Sequence, residues 1–187
     1  PDADGLVLDA RGLLQAASKR AQDLGVPLVV FGQSLGGAVA TRALIDAGPN
    51  GRSAVRLVVL DSTFLSYRDA ARFVLSRHWL ISWLRFMVPI VVPNATAPGT
   101  RIDELAPLPL IDMHGEADQV VGFALGQEVF SAAAEPKEFW VIPGGGHIDS
   151  LWRPGQIYRR RFLDRVLNLS PTPPSMPQSP GTSSNPG

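Results

Sequence analysis

The sequence predicts an α/β domain built on a parallel sheet with helices on both faces. Apolar runs without polar alternation recur at 28–31, 55–60, 108–113 and 139–142, the pattern of strands buried on both sides. Segments with apolar residues at helical three-and-four spacing lie between them. The chain has 187 residues, 45% hydrophobic and 18% charged, enough for one domain with a real core.

The first helix is expected over 6–24, where Ala10, Leu13, Leu14, Ala17, Ala21 and Leu24 form one apolar stripe. Asp4 suits its start as a cap, and Gly25 suits its end in the left-handed conformation. Leu28-Val29-Val30-Phe31, between Pro27 and Gly32, reads as a buried strand. A small-residue helix follows over 35–47, with Gly48-Pro49 as its stop signal. The second strand, 55–60, precedes an irregular stretch, 62–107, with apolar helix-like pieces. The third strand, 108–113, leads to a helix over 123–134. The fourth, 139–142, leads to a last helix over 158–169 with Phe162, Leu163, Val166 and Leu167 on one apolar face. The folded domain is expected to span 1–169. From Ser170 onward, six Pro, five Ser and no charge predict a disordered or polyproline-like tail, 170–187.

Lys plus Arg and Asp plus Glu are 17 each, so the formal net charge is zero. A dedicated nucleic-acid binder needs a basic excess, so no nucleic-acid partner is expected. Cysteine is absent, which excludes disulfides, zinc fingers, thiol nucleophiles and iron–sulfur clusters. With three His and no HExxH, no metal site and no cofactor are expected. Arg159-Arg160-Arg161 is the basic run, read as a solvated helix face.

In parallel α/β sheets, ligands bind beyond the carboxyl ends of the strands. After the first strand stands Gly32-Gln33-Ser34-Leu35-Gly36-Gly37, a G-x-S-x-G in the context strand, tight turn, helix. Such a turn projects the serine hydroxyl from the sheet, and Gly32 and Gly36 are expected because a Cβ at either would clash across it. The helix behind points free N–H groups, starting with Leu35, at a developing oxyanion. A serine nucleophile needs a base held by an acid, expected in the order Ser, Asp or Glu, His. The fourth strand leads into Gly144-Gly145-Gly146-His147, so His147 is the candidate general base, its loop brought close by the glycines. For the acid, Asp118 after the third strand and Asp61 at the end of the second both qualify by position. Asp112 lies within a strand, Glu116 shares the Asp118 loop, and Asp149 reads as a turn or cap residue. His114 reads as a structural histidine, and His78 takes no catalytic role.

Residues 1–169 resemble an α/β-hydrolase. The resemblance rests on Gly32-Gln33-Ser34-Leu35-Gly36-Gly37-Ala38, Leu60-Asp61-Ser62-Thr63-Phe64-Leu65-Ser66, His114-Gly115-Glu116-Ala117-Asp118 and Gly145-Gly146-His147-Ile148-Asp149. These motifs are most similar to the serine-hydrolase branch with the membrane-anchored α/β-hydrolase-domain proteins and their bacterial relatives, some depalmitoylase-like, others esterase- or aminopeptidase-like. The resemblance implies Ser34 as nucleophile, Asp118 as acid and His147 as base, with Asp61 the alternative acid. It also implies strands ahead of 1–27 that the sequence does not show. The chain, which opens on Pro1, is therefore expected to be a C-terminal part of a family member, with the Leu35 amide but not the second oxyanion donor and with the edge of the first strand unpaired.

The resemblance implies a cap from 62–107. Within it, 73–92 is nearly all apolar, but Arg77, Arg85 and Pro89 argue against a membrane span. Packing on the domain's own core, an acyl-binding cap wall and an interfacial membrane contact are the three readings of this stretch. The expected function is cleavage of a carboxylic ester or thioester through an acyl-enzyme, with a small-molecule or acylated substrate. A short-peptide peptidase and a non-catalytic fragment are the alternatives. Membrane association would run through the cap or an upstream segment, and the expected location is cytoplasmic or membrane-associated. The sequence does not fix an oligomeric state.

Overall fold

The computed structural model describes residues 3–77, 84, 86–88, 92 and 94–171. The chain forms α1 (Ala3–Leu24), β1 (Leu28–Gln33), α2 (Leu35–Gly51), β2 (Val55–Asp61), α3 (Tyr67–Ser76), a 3-10 helix (Gly99–Leu105), β3 (Leu110–Gly115), α4 (Phe123–Ala132), β4 (Lys137–Ile142) and α5 (Ile157–Leu167). The four strands make one parallel sheet in the order β1-β2-β3-β4. β2 and β3 are central and almost wholly buried, which is why their sequences are continuously apolar rather than alternating. β1 and β4 form the edges.

Side chains of alternate strand residues feed two cores. On one face Val58, Leu60 and Leu110 pack with Leu14 of α1, Leu44 and Ile45 of α2 and Val129 of α4. On the other, Leu57, Val59, Ile111, Met113, Trp140 and Ile142 meet Tyr158, Phe162 and Val166 of α5. A third cluster, Ala38, Phe64, Val121 and Leu125 with Tyr67 and Phe73, joins α3 to α2 and α4.

Details differ from the expectation, each for a physical reason. α1 begins at Ala3, so Asp4 sits in its first turn, where its charge complements the helix dipole, rather than at the cap. Gly25 does end α1 at φ +62°. Gly48 (φ 64°, ψ 177°) breaks α2, but Pro49 then opens one more turn, so the stop signal acts as a kink. The apolar face of α5 is narrower than expected: Phe162 and Val166 pack inward, but Leu163 is 45% and Leu167 80% exposed. Arg161 is not simply solvated, because it pairs with Glu138 at 2.8 Å and lies over the Trp140 ring.

In 62–107, Ser66 caps α3 by accepting the Asp69 N–H, and Asn94 accepts the Tyr67 N–H at 2.9 Å. Arg68 donates to the Val92 carbonyl. Half of the proposed cap wall, 73–92, falls on residues outside those described, among them His78, Trp83, Arg85 and Pro89, and the tail from 172 lies wholly outside them. Of its described part, Phe73 packs on Val121 and Leu125, Val88 is buried and Phe86 is exposed. Among the described residues, no helix is long and apolar enough to cross a membrane.

Candidate active site

Ser34 stands between β1 and α2 at φ 49°, ψ −125°, a conformation non-glycine residues seldom adopt. Three hydrogen bonds fix it there. Its N–H donates to the Asp61 carbonyl at 2.9 Å. Its carbonyl accepts the Gly37 N–H at 3.0 Å and the Thr63 hydroxyl at 2.8 Å. The glycine reasoning holds at Gly32, where a Cβ would lie 2.6 Å from Gly37 Cα. It does not hold at Gly36, which has open space around it. The second obligatory glycine is Gly37, whose Cβ would meet the Thr63 hydroxyl at 2.5 Å. The sequence places Gly37 in the turn without showing why it must be glycine, because Thr63 comes from beyond the end of a different strand. Gln33, the other member of the turn, donates its side-chain amide to Asp61 at 3.0 Å.

His147 follows β4, and its Nδ1 lies 2.9 Å from Asp118 Oδ2. Asp118 is fully buried in its side chain, with Oδ1 accepting the N–H groups of Val120 (2.8 Å) and Val121 (2.9 Å). Those two donors orient the carboxylate so that Oδ2 is left for His147. A carboxylate only accepts, so His147 donates from Nδ1 to Asp118, and Nε2 is the ring nitrogen left over. The ring is 19% exposed, at the border of solvent. The loop comes close as expected: a Cβ on Gly115 would strike the Gly145 carbonyl, and Gly144 has φ +60°. Gly146 is looser, its N–H donating to Asp149 Oδ2 at 3.0 Å, which gives Asp149 its turn role.

Asp61, the other acid considered, makes no bond to His147. Its carboxylate accepts from Ser150 (2.7 Å), Gln33 (3.0 Å) and Ser62 (3.4 Å). Burial pushes it up, and these donors pull it part of the way back. His114 is fully buried, its Nε2 2.9 Å from the Val121 carbonyl, so that nitrogen donates and Nδ1 is left without a proton or partner. Burial lowers its affinity for a second proton. Among the described residues the Ser34 hydroxyl makes no hydrogen bond, and His147 pairs with Asp118 alone. Ser34, Asp118 and His147 thus stand on three loops at the carboxyl ends of β1, β3 and β4. α2 begins at Leu35, directly behind the serine.

No protein-family model matches the sequence. The chain is 32% identical over 172 residues to the uncharacterized protein YfhR of Escherichia coli (strain K12), covering 90% of this chain and 55% of that protein. It is 29% identical over 185 residues to the α/β hydrolase domain-containing protein WAV2 of Arabidopsis thaliana, covering 91% and 56%. The solved structure of acetyl xylan esterase 1 from Thermoanaerobacterium superposes with a TM-score of 0.60 at 16% identity, over 86% of this chain and 51% of that one. The chain has the fold of the α/β-hydrolases, as its structural neighbours do. It spans a little over half the length of the curated relatives it matches, 55% for YfhR and 56% for WAV2. Within this hydrolase fold the region beyond the strand ends is where a ligand binds, and it is there that all three candidate residues lie.

Proposed function

We propose that this chain carries the acyl-transfer centre of a serine hydrolase acting on carboxylic esters or thioesters. The observation that carries the reading is the Asp118–His147 pair at 2.9 Å, held beyond the strand ends that also carry Ser34 on its strained turn. The likeness to an esterase fold supports it.

In this mechanism Nε2 of His147 takes the proton of Ser34 as its Oγ attacks the substrate carbonyl. Asp118 holds the imidazole tautomer and stabilises the cation that forms. The Leu35 N–H, at the positive end of α2, donates to the oxyanion. His147 then protonates the leaving alcohol or thiol and afterwards activates the water that releases the acid. None of these steps draws on a metal or cofactor. Exposed apolar side chains of Leu35, at the start of α2, and of Val120 and Ile148, on the loops after β3 and β4, favour an apolar acyl group over a charged one.

Hydrolysis of p-nitrophenyl esters of increasing chain length, with Ser34→Ala as control, tests the reading. We expect turnover that falls to background in the variant and improves from acetate to medium chains. Absence of hydrolysis, both in this chain and in a protein of the length of its relatives, would overturn it in favour of a binding role. Cleavage of short peptides but not esters would move the assignment to a peptidase.

A further inference from the structure

Four non-glycine residues among those described have positive φ, and three of them, Ser34 (49°), Ser62 (55°) and Ile148 (51°), stand at the candidate site. Ile148 is the most telling, because a β-branched side chain is poorly suited to that region. Strained backbone persists only where its surroundings over-determine it. The hydrogen bonds around these residues converge on Asp61 and Ser62. Toward the serine, the Asp61 carbonyl accepts the Ser34 N–H (2.9 Å) and its carboxylate accepts the Gln33 amide (3.0 Å). Toward the histidine, the same carboxylate accepts the Ser150 hydroxyl (2.7 Å), and the Ser62 hydroxyl accepts the Ile148 N–H (3.1 Å). Ser62 is itself tied to β3 by its N–H on the Met113 carbonyl (2.9 Å). Asp61, Ser62 and Ser150 are essentially inaccessible to solvent, so these bonds compete little with water.

We infer that Asp61 and Ser62 form a positioning hub, which sets the separation and orientation of Ser34 and His147 by gripping the residues beside each. Neither touches the reacting atoms in this arrangement. The hub gives the carboxylate of Asp61 a use other than the acid role it was weighed for. Its catalytic consequence rests on the acyl-transfer reading, whereas the wiring itself does not.

Two measurements separate the two. Amide hydrogen exchange reads the wiring alone. In the wild-type chain the Ile148 amide should be protected. In Ser62→Ala its exchange should quicken at least about tenfold, while amides of β2 and β3 away from residue 62 keep their rates. An unprotected Ile148 amide in the wild type, or one unchanged by Ser62→Ala, would overturn the hub. Steady-state hydrolysis of a p-nitrophenyl ester reads the consequence. Ser62→Ala and Ser150→Ala should each lower kcat about tenfold with KM nearly unchanged. Each should also lower the rate by much less in a His147→Ala background, because the effect runs through His147. Equal losses with and without His147 would assign these serines a merely structural role and overturn the positioning claim. If the wild type does not hydrolyse esters, the acyl-transfer reading fails, and the exchange result still decides the wiring.

Discussion

Asp61 at the end of β2 and Asp112 in the middle of β3 are both fully buried carboxylates of one sheet, yet their surroundings have little in common. Asp61 accepts three side-chain donors and ties two loops together. Asp112 has no hydrogen-bond partner at either oxygen among the described residues. Burial first, and the nearby Asp61 second, drive Asp112 well above the usual carboxylate range, which favours its neutral form. The contrast teaches where this fold spends polar burial. At the carboxyl end of β2, the buried Asp61 and Ser62 are matched to partners and hold unusual backbone in place. A few residues away, a polar group is tolerated because it can give up its charge.

The largest expected effect tests whether Asp118 and Asp61 have separate duties. Oδ1 of Asp118 faces two N–H donors, so an asparagine there must turn its carbonyl to them and its NH2 to His147. That forces the His147 proton onto Nε2, where it can no longer accept from Ser34. Asp118→Asn should therefore lower kcat/KM in ester hydrolysis by about a thousandfold or more, while Asp61→Asn, which keeps an acceptor for Ser150, lowers it by about tenfold or less. Equal losses would merge the two carboxylates into one role.

Next comes the turn itself. Gly37→Ala pushes a methyl into Thr63, the partner of the Ser34 carbonyl, and should lower unfolding free energy in urea by about 1–3 kcal/mol. Gly36→Ala, with open space in the first turn of α2, should be neutral or stabilising by up to about 1 kcal/mol.

Asp112 sharpens the comparison through pH. Its folded form keeps a proton that the unfolded chain releases above about pH 4. Its contribution to stability is thus complete below the ordinary carboxylate range and is lost as pH rises toward the elevated folded value. Asp112→Val removes an unpartnered buried group, and should stabilise by about 1–3 kcal/mol at pH 7. Thermal melts should show the gain shrinking toward pH 4. The smallest effect belongs to the exposed side of α5, where Leu167→Lys should change stability by no more than about 0.5 kcal/mol.

Much of this was legible in the sequence. Short apolar runs such as Leu57 to Leu60, between turn signals and alternating with helical segments, pointed to strands buried on both faces and so to a parallel sheet. The placement of Ser34, Asp118 and His147 at strand ends was legible because strand-end position and residue type are both local properties. What escaped depends on pairs distant in sequence. Thr63 makes Gly37 rather than Gly36 obligatory, and Ser62 and Ser150 acquire meaning only when the loop after β4 folds back onto β2. The exposure of Leu163 and Leu167 escaped because periodicity marks an apolar side of a helix without saying how much of it the sheet can cover.

The central claim is that the Asp118–His147 pair activates Ser34. Its most direct test is the rate at which a fluorophosphonate probe modifies the protein, with the modified residue located by peptide mass spectrometry. The account predicts a single adduct on Ser34 that forms at least about a thousandfold more slowly in His147→Ala. Labelling of Ser34 at an undiminished rate in that variant, or an adduct on another residue that survives Ser34→Ala, would contradict it.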